Sequence, residues 1–394
     1  MAYLSGAPSV SLRENCPQYG ARTHILGVLA GFEELAWETR RYIAGDFLPN
    51  RGNPQEYLQK SRAARLASDF VRLALWPVNA LCSYFMLGEA DVFYERSGSF
   101  QAIGCLLKGL GRRGCLVVEV NGIHHLESRD EYRTLELVDL AHRIQRTSLA
   151  AADLVICVSE QLKALVADTF DIPDQKILVV PNGVNASRLQ VGSEASRFFA
   201  GPTICFVGQV QRWQNLCALL EAMDRLRQDG IAYGLVVAGG GVGLRECQQL
   251  SVKLGLAEQV KFLGPVPPSQ VGAILAGCDL GFSGQRDLAW GGMYHSPLKL
   301  YEYLAAGLPV IVSDFRDARA LVARAECGFV FEAHTAGSLE NALREACAGQ
   351  ERWSEMGRRG QQLVESEHSW RSRVQQVLDA LEERGLLGPR RGHA

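Results

Sequence analysis

The chain has no excess charge of either sign. Its 41 Lys and Arg against 43 Asp and Glu leave a formal charge of −2, which excludes the footprint of a non-specific nucleic-acid binder. Among its 11 cysteines there is no C-x-x-C pair and no zinc-like spacing. Those thiols are scattered, several in strand-like apolar runs such as those holding Cys157 and Cys205, and they read as reduced and buried, as in a cytoplasmic protein. The opening MAYLSGAPSVSLRENC lacks a basic start followed by an apolar core, so no secretory signal is expected. Long apolar runs are scarce too. The one that stands out, residues 70–87, contains Arg72, Pro77 and Asn79 and is short for a membrane span. It reads as a buried helix broken near Pro77, with no transmembrane segment; peripheral contact with a lipid-linked substrate stays open. There is no phosphate-binding Walker loop, since no Gly-Lys-Ser/Thr follows Gly239-Gly240-Gly241.

What is present is an alternation of short apolar strands and helices. With 394 residues, 47% of them hydrophobic, the chain has room for two or three cores. A first series runs from Tyr3-Leu4 through a helix at 23–35, a strand at 38–45, strands at 91–98 and 115–122, a long polar helix over 128–150, and strands at 153–159 and 176–184. Residues 185–201 are polar and read as a connector. A second series begins at 203–210 and alternates through 327–332, and the last sixty or so residues read as helical. Such alternation implies parallel sheets covered on both faces. The expected architecture is α/β, with two doubly wound domains facing one another. The expected boundaries are 1–188 and 199–370, with a helix at 371–394 packing back on the first domain. In open sheets of this kind ligands bind beyond the carboxyl ends of the strands.

The most informative stretch is SPLKLYEYLAAGLPVIVSD, residues 296–314. Ser296 fits an N-cap and Pro297 a first helical position, and Gly307 fits the left-handed residue that ends the helix. The free amides near Leu298 and Lys299 face whatever precedes Ser296, and a helix start favours an anion by roughly 0.3–2 kcal/mol. Lys299 adds a full charge, and Glu302, three residues on, shares its face. A cation, free amides and a carboxylate on one face suit a nucleotide, with diphosphate at the helix start and ribose hydroxyls on Glu302. A capped surface helix with a Lys–Glu pair is the plain alternative. Tyr294 and His295 close an irregular glycine-bearing loop, 284–295, just before that helix. His124 and His125 follow the strand CLVVEV, where His124 in particular is placed to meet a substrate hydroxyl. No third ligand at useful spacing accompanies them, so no metal site is expected. Gly240 lies in a glycine run after a strand, which allows close backbone approach or serves an ordinary tight turn.

Four stretches resemble glycosyltransferase family 4, with the GT-B fold: ADLVICVSEQLKALV…KILVVPNGVN, FVGQVQRWQNLCALLEAM, VKFLGPVPPSQVGAILAGCDLGF and the 296–314 segment. Tyr19-Gly20-Ala21 is similar to the family's glycine-rich donor loop, and YERSG…LVVEVNG resembles one bacterial subgroup. The resemblance implies two Rossmann-like domains across a cleft. It implies retaining transfer of a sugar from a nucleotide diphospho-sugar to an acceptor hydroxyl by a front-face path. No metal or other cofactor is called for, since positive protein groups neutralise the leaving group. Glu302 matches the second Glu of the Glu-x7-Glu motif, Pro265 and Val266 match the base contact, and Gly208 matches the glycine at the first strand end. Backbone groups at His295, Ser296 and Pro297 would face the sugar, while Gly20 and His124 would serve the acceptor side. The acceptor would be a small molecule, a polysaccharide or a lipid-linked acceptor.

The chain departs from the family pattern at four places, one of them Tyr19, which stands where a second glycine of the donor loop is common. Tyr294 stands at the first Glu of Glu-x7-Glu, and Gln209 and Gln214 stand where Arg and Lys are usual. Lys299 is a substitute cation, and Arg212 and Arg286 are candidates for a second. Two further readings therefore stay open: a catalytically impaired nucleotide-binding or regulatory protein of the same fold, and a nucleotide-sugar epimerase.

Overall fold

The structure, a computed structural model, describes residues 1–13, 16, 20–48, 61–189, 196–288 and 292–388. Two six-stranded sheets, parallel throughout, carry the chain. The first contains β1 (Ala2–Ser5), β2 (Arg40–Ile43), β3 (Val92–Arg96), β4 (Cys115–Val120), β5 (Leu154–Cys157) and β6 (Ile177–Val179), in the order β2-β1-β3-β4-β5-β6. The second contains β7 (Thr203–Val207), β8 (Gly234–Ala238), β9 (Val260–Gly264), β10 (Leu280–Ser283), β11 (Val310–Ser313) and β12 (Gly328–Phe331), in the order β12-β11-β10-β7-β8-β9. Every residue of β4, β5, β7 and β8 is buried, because helices cover both faces of each sheet.

The helices between the first set of strands are α1 (Gly20–Glu34), α2 (Arg62–Leu87), α3 (Ile103–Gly109), the single turn α4 (His124–Leu126), α5 (Val138–Ala151) and α6 (Glu160–Phe170). Those of the second half are α7 (Leu216–Gln228), α8 (Leu244–Lys253), α9 (Pro268–Ala276), α10 (Leu298–Ala305), α11 (Arg316–Ala325), α12 (Ser338–Ala348), α13 (Trp353–Glu367) and α14 (Trp370–Glu383). The chain crosses back after α13, where Val184 N donates to His368 O at 2.8 Å, and α14 then packs on α1. Gly27 and Gly31, one turn apart on α1, leave the seat for it. A β-carbon at Gly27 would stand 2.1 Å from the Trp370 ring, and one at Gly31 would stand 2.6 Å from the Trp370 carbonyl.

Three local expectations fail, each for a tertiary reason. The segment 70–87 is neither broken nor buried: α2 runs unbroken through Pro77, and Phe70, Val78, Leu81, Phe85 and Met86 are exposed. Pro77 lies on the open side, where water can reach the Leu73 carbonyl that loses its N–H donor, so the helix continues past it. The long polar helix is interrupted: a π-helical turn covers Glu127–Glu131 and α5 starts only at Val138, because the amides of Glu136 and Leu137 donate to the buried Asp69 carboxylate of α2 instead (2.7 and 2.8 Å). Ser296 is not the N-cap of α10; Pro297 takes that position, and the Ser296 hydroxyl is engaged by Asn182 and Tyr301. A helix at 316–325, not foreseen, follows β11.

Candidate active site

The segment preceding α10 is sewn to the other half of the molecule. Ser159 Oγ donates to the Tyr294 carbonyl at 2.6 Å while capping α6 through Leu162 N. Asn182 N donates to Ser296 Oγ at 3.0 Å, and Asn182 Nδ2 donates to the Ser296 carbonyl at 2.5 Å. These bonds turn the start of α10 toward the carboxyl ends of β5 and β6. Leu298 packs with the α1–α14 core, and a β-carbon on Gly20 would lie 3.8 Å from its Cδ1. The starts of α1 and α10 therefore meet across the junction of the two sheets. Tyr19, just before Gly20, lies outside the described residues, as does Trp290 in the loop before α10.

Lys299 points from the first turn of α10 to the end of β7. Its Nζ donates to Gln214 Oε1 at 2.8 Å and stands 3.7 Å from the centroid of the Phe206 ring. Gly208, with φ +125°, keeps a side chain out of this spot; its β-carbon would come within 3.8 Å of Nζ. Burial pushes the ammonium down to about 7, opposed by the charge of Glu302 one turn on. Glu302 is half-buried, and burial raises its carboxyl while Lys299 opposes the rise. The Glu302 carboxylate has no hydrogen-bond partner among the described residues. The two other candidate cations do not join this group. Arg212 pairs with Glu246 at 3.3 Å on the surface, and Arg286 is exposed. Gln209 is exposed as well, within 3.4 Å of the Gln211 amide.

The glycine run is used in close backbone packing. A β-carbon at Gly239 would fall 1.8 Å from the Gly208 carbonyl, and one at Gly241 2.3 Å from that of Val210. Only glycine lets the turns after β7 and β8 press together. Gly240 sits beside Pro265 at the end of β9, with Val266 half-buried, so these three form a separate edge of the second sheet.

The junction's polar centre is a carboxylate that sequence reasoning did not single out. Glu127, one turn past His124, is 12% exposed in its side chain. Its Oε1 accepts from the Tyr294 hydroxyl at 2.7 Å and lies 3.2 Å from His295 Nε2, and its Oε2 is 3.8 Å from His124 Nδ1. Burial alone would raise its pKa, but the hydrogen bond and charge of His295, then His124 and the Tyr294 hydroxyl, hold it at about 2. The His295 ring stacks on Trp213, centroids 5.0 Å apart. Burial lowers the pKa of His124, opposed by the charge of Glu127 and a hydrogen bond with the Ser97 backbone, and its Nε2 is shielded from solvent. The neighbouring His125 turns into the first core, against Gln145, His142 and Phe170.

A second polar group lies under α1. His24 Nε2 is 2.9 Å from Glu119 Oε1, and Arg96 Nη1 is 3.2 Å from His24 Nδ1. A neutral His24 with its proton on Nε2 satisfies both contacts, as burial of the ring favours. Arg96 and Glu119 come from β3 and β4, so this group backs the glycine start of α1. The signal for Glu127 and Arg96 was local. A carboxylate three residues past a strand-end His, and an Arg at a strand end, both sit where open sheets place ligands.

Two family matches divide the chain. "Glycosyltransferase Family 4" covers residues 20–188, and "Glycosyl transferases group 1" covers residues 197–363. A D-inositol 3-phosphate glycosyltransferase of Nocardia farcinica is 25% identical over 55% of this chain and 49% of its own. The chain thus spans about half the length of that relative. A GDP-mannose-dependent alpha-(1-6)-phosphatidylinositol monomannoside mannosyltransferase of Mycolicibacterium smegmatis is 24% identical over 87% of this chain and 98% of its own. Among solved structures, sucrose-phosphate synthase from Thermosynechococcus elongatus superposes with a TM-score of 0.72 at 15% identity, covering 98% of each chain. With both halves matched and two parallel sheets opposed at their carboxyl ends, the chain belongs to glycosyltransferase family 4 and has the GT-B fold.

Proposed function

We propose that the protein is a retaining glycosyltransferase that moves a sugar from a nucleotide diphospho-sugar to an acceptor hydroxyl. One observation carries the reading. The uncapped start of α10 meets the start of α1 across the junction, with the Lys299 ammonium beside Gly208 at the end of β7. Residues 1–188 are the acceptor half in this proposal, 199–370 the donor half, and the C-terminal helix belongs with the first. The diphosphate rests on the amides of Leu298 and Lys299, and the Lys299 ammonium takes up the charge that develops on it. Glu302, without a hydrogen-bond partner among the described residues, receives the ribose, and the Gly240, Pro265 and Val266 edge receives the base. In the front-face path the bond from the sugar C1 to the diphosphate oxygen breaks. The acceptor oxygen bonds C1 on the same face, and its proton passes to the departing diphosphate. His124, its ring shielded beside Glu127, is placed to hold a sugar or acceptor hydroxyl.

No metal is needed in this scheme, so chelation with EDTA leaves turnover unchanged. The M. smegmatis relative is named for a phosphatidylinositol-linked acceptor, which supports the lipid-linked class of acceptor. The cysteines are all free thiols, which supports a cytoplasmic setting. The test is calorimetric titration with UDP and GDP, followed by a donor panel read as acceptor-dependent release of nucleoside diphosphate. Binding of neither nucleotide would overturn the reading. One observation favours the impaired, nucleotide-binding alternative: Tyr294, at the first Glu of the motif, turns its hydroxyl onto Glu127. Nucleotide binding with no turnover across the panel selects that alternative.

A further inference from the structure

Helix α2 is packed with its polar side inward. Asp69, Asn79 and Ser83 are buried. Asp69 accepts the amides of Glu136 and Leu137 and is paired with Arg72, and Asn79 Oδ1 accepts from the Tyr42 hydroxyl at 3.0 Å. The outward side carries Phe70, Val71, Val78, Leu81, Phe85 and Met86, with Phe85 76% exposed. Asp69 and Arg72 are the only charged residues between Ala67 and Met86, and both are turned to the protein. At 1.5 Å per residue the apolar stripe is roughly 24 Å long. Arginines stand at both of its ends. Arg62 and Arg65 share Glu136 at the start, and Arg112, over the Tyr84 ring and paired with Glu89, stands beside the exposed Arg113 at the end.

We infer that this face of α2 seats on the headgroup–acyl boundary of an anionic phospholipid bilayer. A helix lying in that plane buries its apolar side by about 5–10 Å and sets its arginines among the headgroups, which matches a narrow stripe with cationic ends. The helix does not cross the bilayer, because Asp69 and Asn79 on its inner side are bonded to the first domain. A second copy of the chain fits less well. A stripe about 10 Å wide and 24 Å long offers roughly 240 Å² per copy, against about 800 Å² per partner in a stable dimer. Asp69 also ties α2 to the segment that follows His124 and Glu127, so a bilayer under α2 lies at the acceptor edge of the junction. The inference rests on the helix and not on the sugar-transfer reading.

The test is sedimentation of the full chain with sucrose-loaded vesicles, one set of phosphatidylcholine and one of phosphatidylcholine with phosphatidylglycerol. The parent binds the anionic set more strongly, and added salt weakens binding. Phe85→Glu and Leu81→Glu each lower the partition coefficient about tenfold or more, with unchanged melting temperature, since both positions are already exposed. A polarity-sensitive dye on Cys82, an exposed cysteine on the same helix, shifts to the blue with anionic vesicles and needs no destabilising variant. A parent that stays in the supernatant with both vesicle sets overturns the inference, as does a Cys82 dye that remains in water. A concentration-dependent dimer that Phe85→Glu dissociates assigns the face to a second copy and also overturns it. All of this is measured without donor or acceptor. Vesicle binding without sugar transfer keeps this inference and sinks the other; sugar transfer without vesicle binding does the reverse.

Discussion

At Lys299, stability and nucleotide binding are expected to move in opposite directions. Burial brings its ammonium from an ordinary 10.5 to about 7. At about 1.36 kcal/mol per pH unit, holding that charge costs the fold up to about 5 kcal/mol at pH 6. The folded protein binds fewer protons than the unfolded chain between pH 7 and 10.5, so this cost shrinks as pH rises through that window. Lys299→Met removes the cost. It also removes the cation–π contact with Phe206, about 1–2 kcal/mol, and leaves the buried Gln214 oxygen without its donor, about 1–3 kcal/mol. The variant is therefore at least as stable as the parent at pH 6, and the two come level near pH 9. There Lys299 is neutral, the cation–π contact is gone and a remaining cost of about 2 kcal/mol offsets the Gln214 contact. Urea unfolding at the two pH values measures this. The same variant loses a charge-assisted contact to diphosphate of about 1.5–3 kcal/mol, so UDP or GDP affinity falls roughly ten- to hundredfold by calorimetry. A variant about 3 kcal/mol less stable at pH 6 that still binds nucleotide like the parent would make Lys299 a structural tie to Gln214, and the reasoning would fail.

Glu127→Gln removes the carboxylate that joins Tyr294 and His295 to the first half. It should cost about 1.5–3 kcal/mol in urea unfolding at neutral pH. Because Glu127 is held at about 2, the parent's advantage is full above the ordinary carboxylate range and fades as pH falls toward 2; a pH-independent difference would contradict that origin. Gly27→Ala should destabilise despite the better helix propensity of alanine. Overpacking against Trp370 costs about 1–3 kcal/mol against a gain of about 1. A raised melting temperature would show that α14 yields freely. Gly239→Ala should cost more than either, because its β-carbon meets backbone at 1.8 Å at a positive φ. Nucleotide binding should fall with it, and retained affinity would mean that the β7 and β8 turns do not shape the site.

The donor-side pattern was legible because each signal was local. Gly307, at φ +76°, follows the end of α10 where a left-handed residue was expected, and Gly208 and Lys299 lie where strand-end and helix-start rules put them. Ser296 was misread as a cap because capping preference ignores competitors. Asn182, 114 residues away in the chain, holds its hydroxyl. The polar helix over 128–150 was misread because Asp69 takes two of its amides, and no window of 20 residues contains that contact.

Strand and helix alternation, with glycines at the strand ends, is written residue by residue, so the sequence alone determined two parallel sheets and the class of site between them. Which carboxylate sits at the junction and which side of α2 meets solvent are settled only when distant segments touch. Glu127 gains its meaning from Tyr294 and His295, 167 and 168 residues on. The α2 periodicity marks an apolar face but cannot say whether that face turns inward. Bonds from Asp69 and Asn79 to the core decide that it turns out, because a buried polar group left unpaired costs more than an exposed phenylalanine.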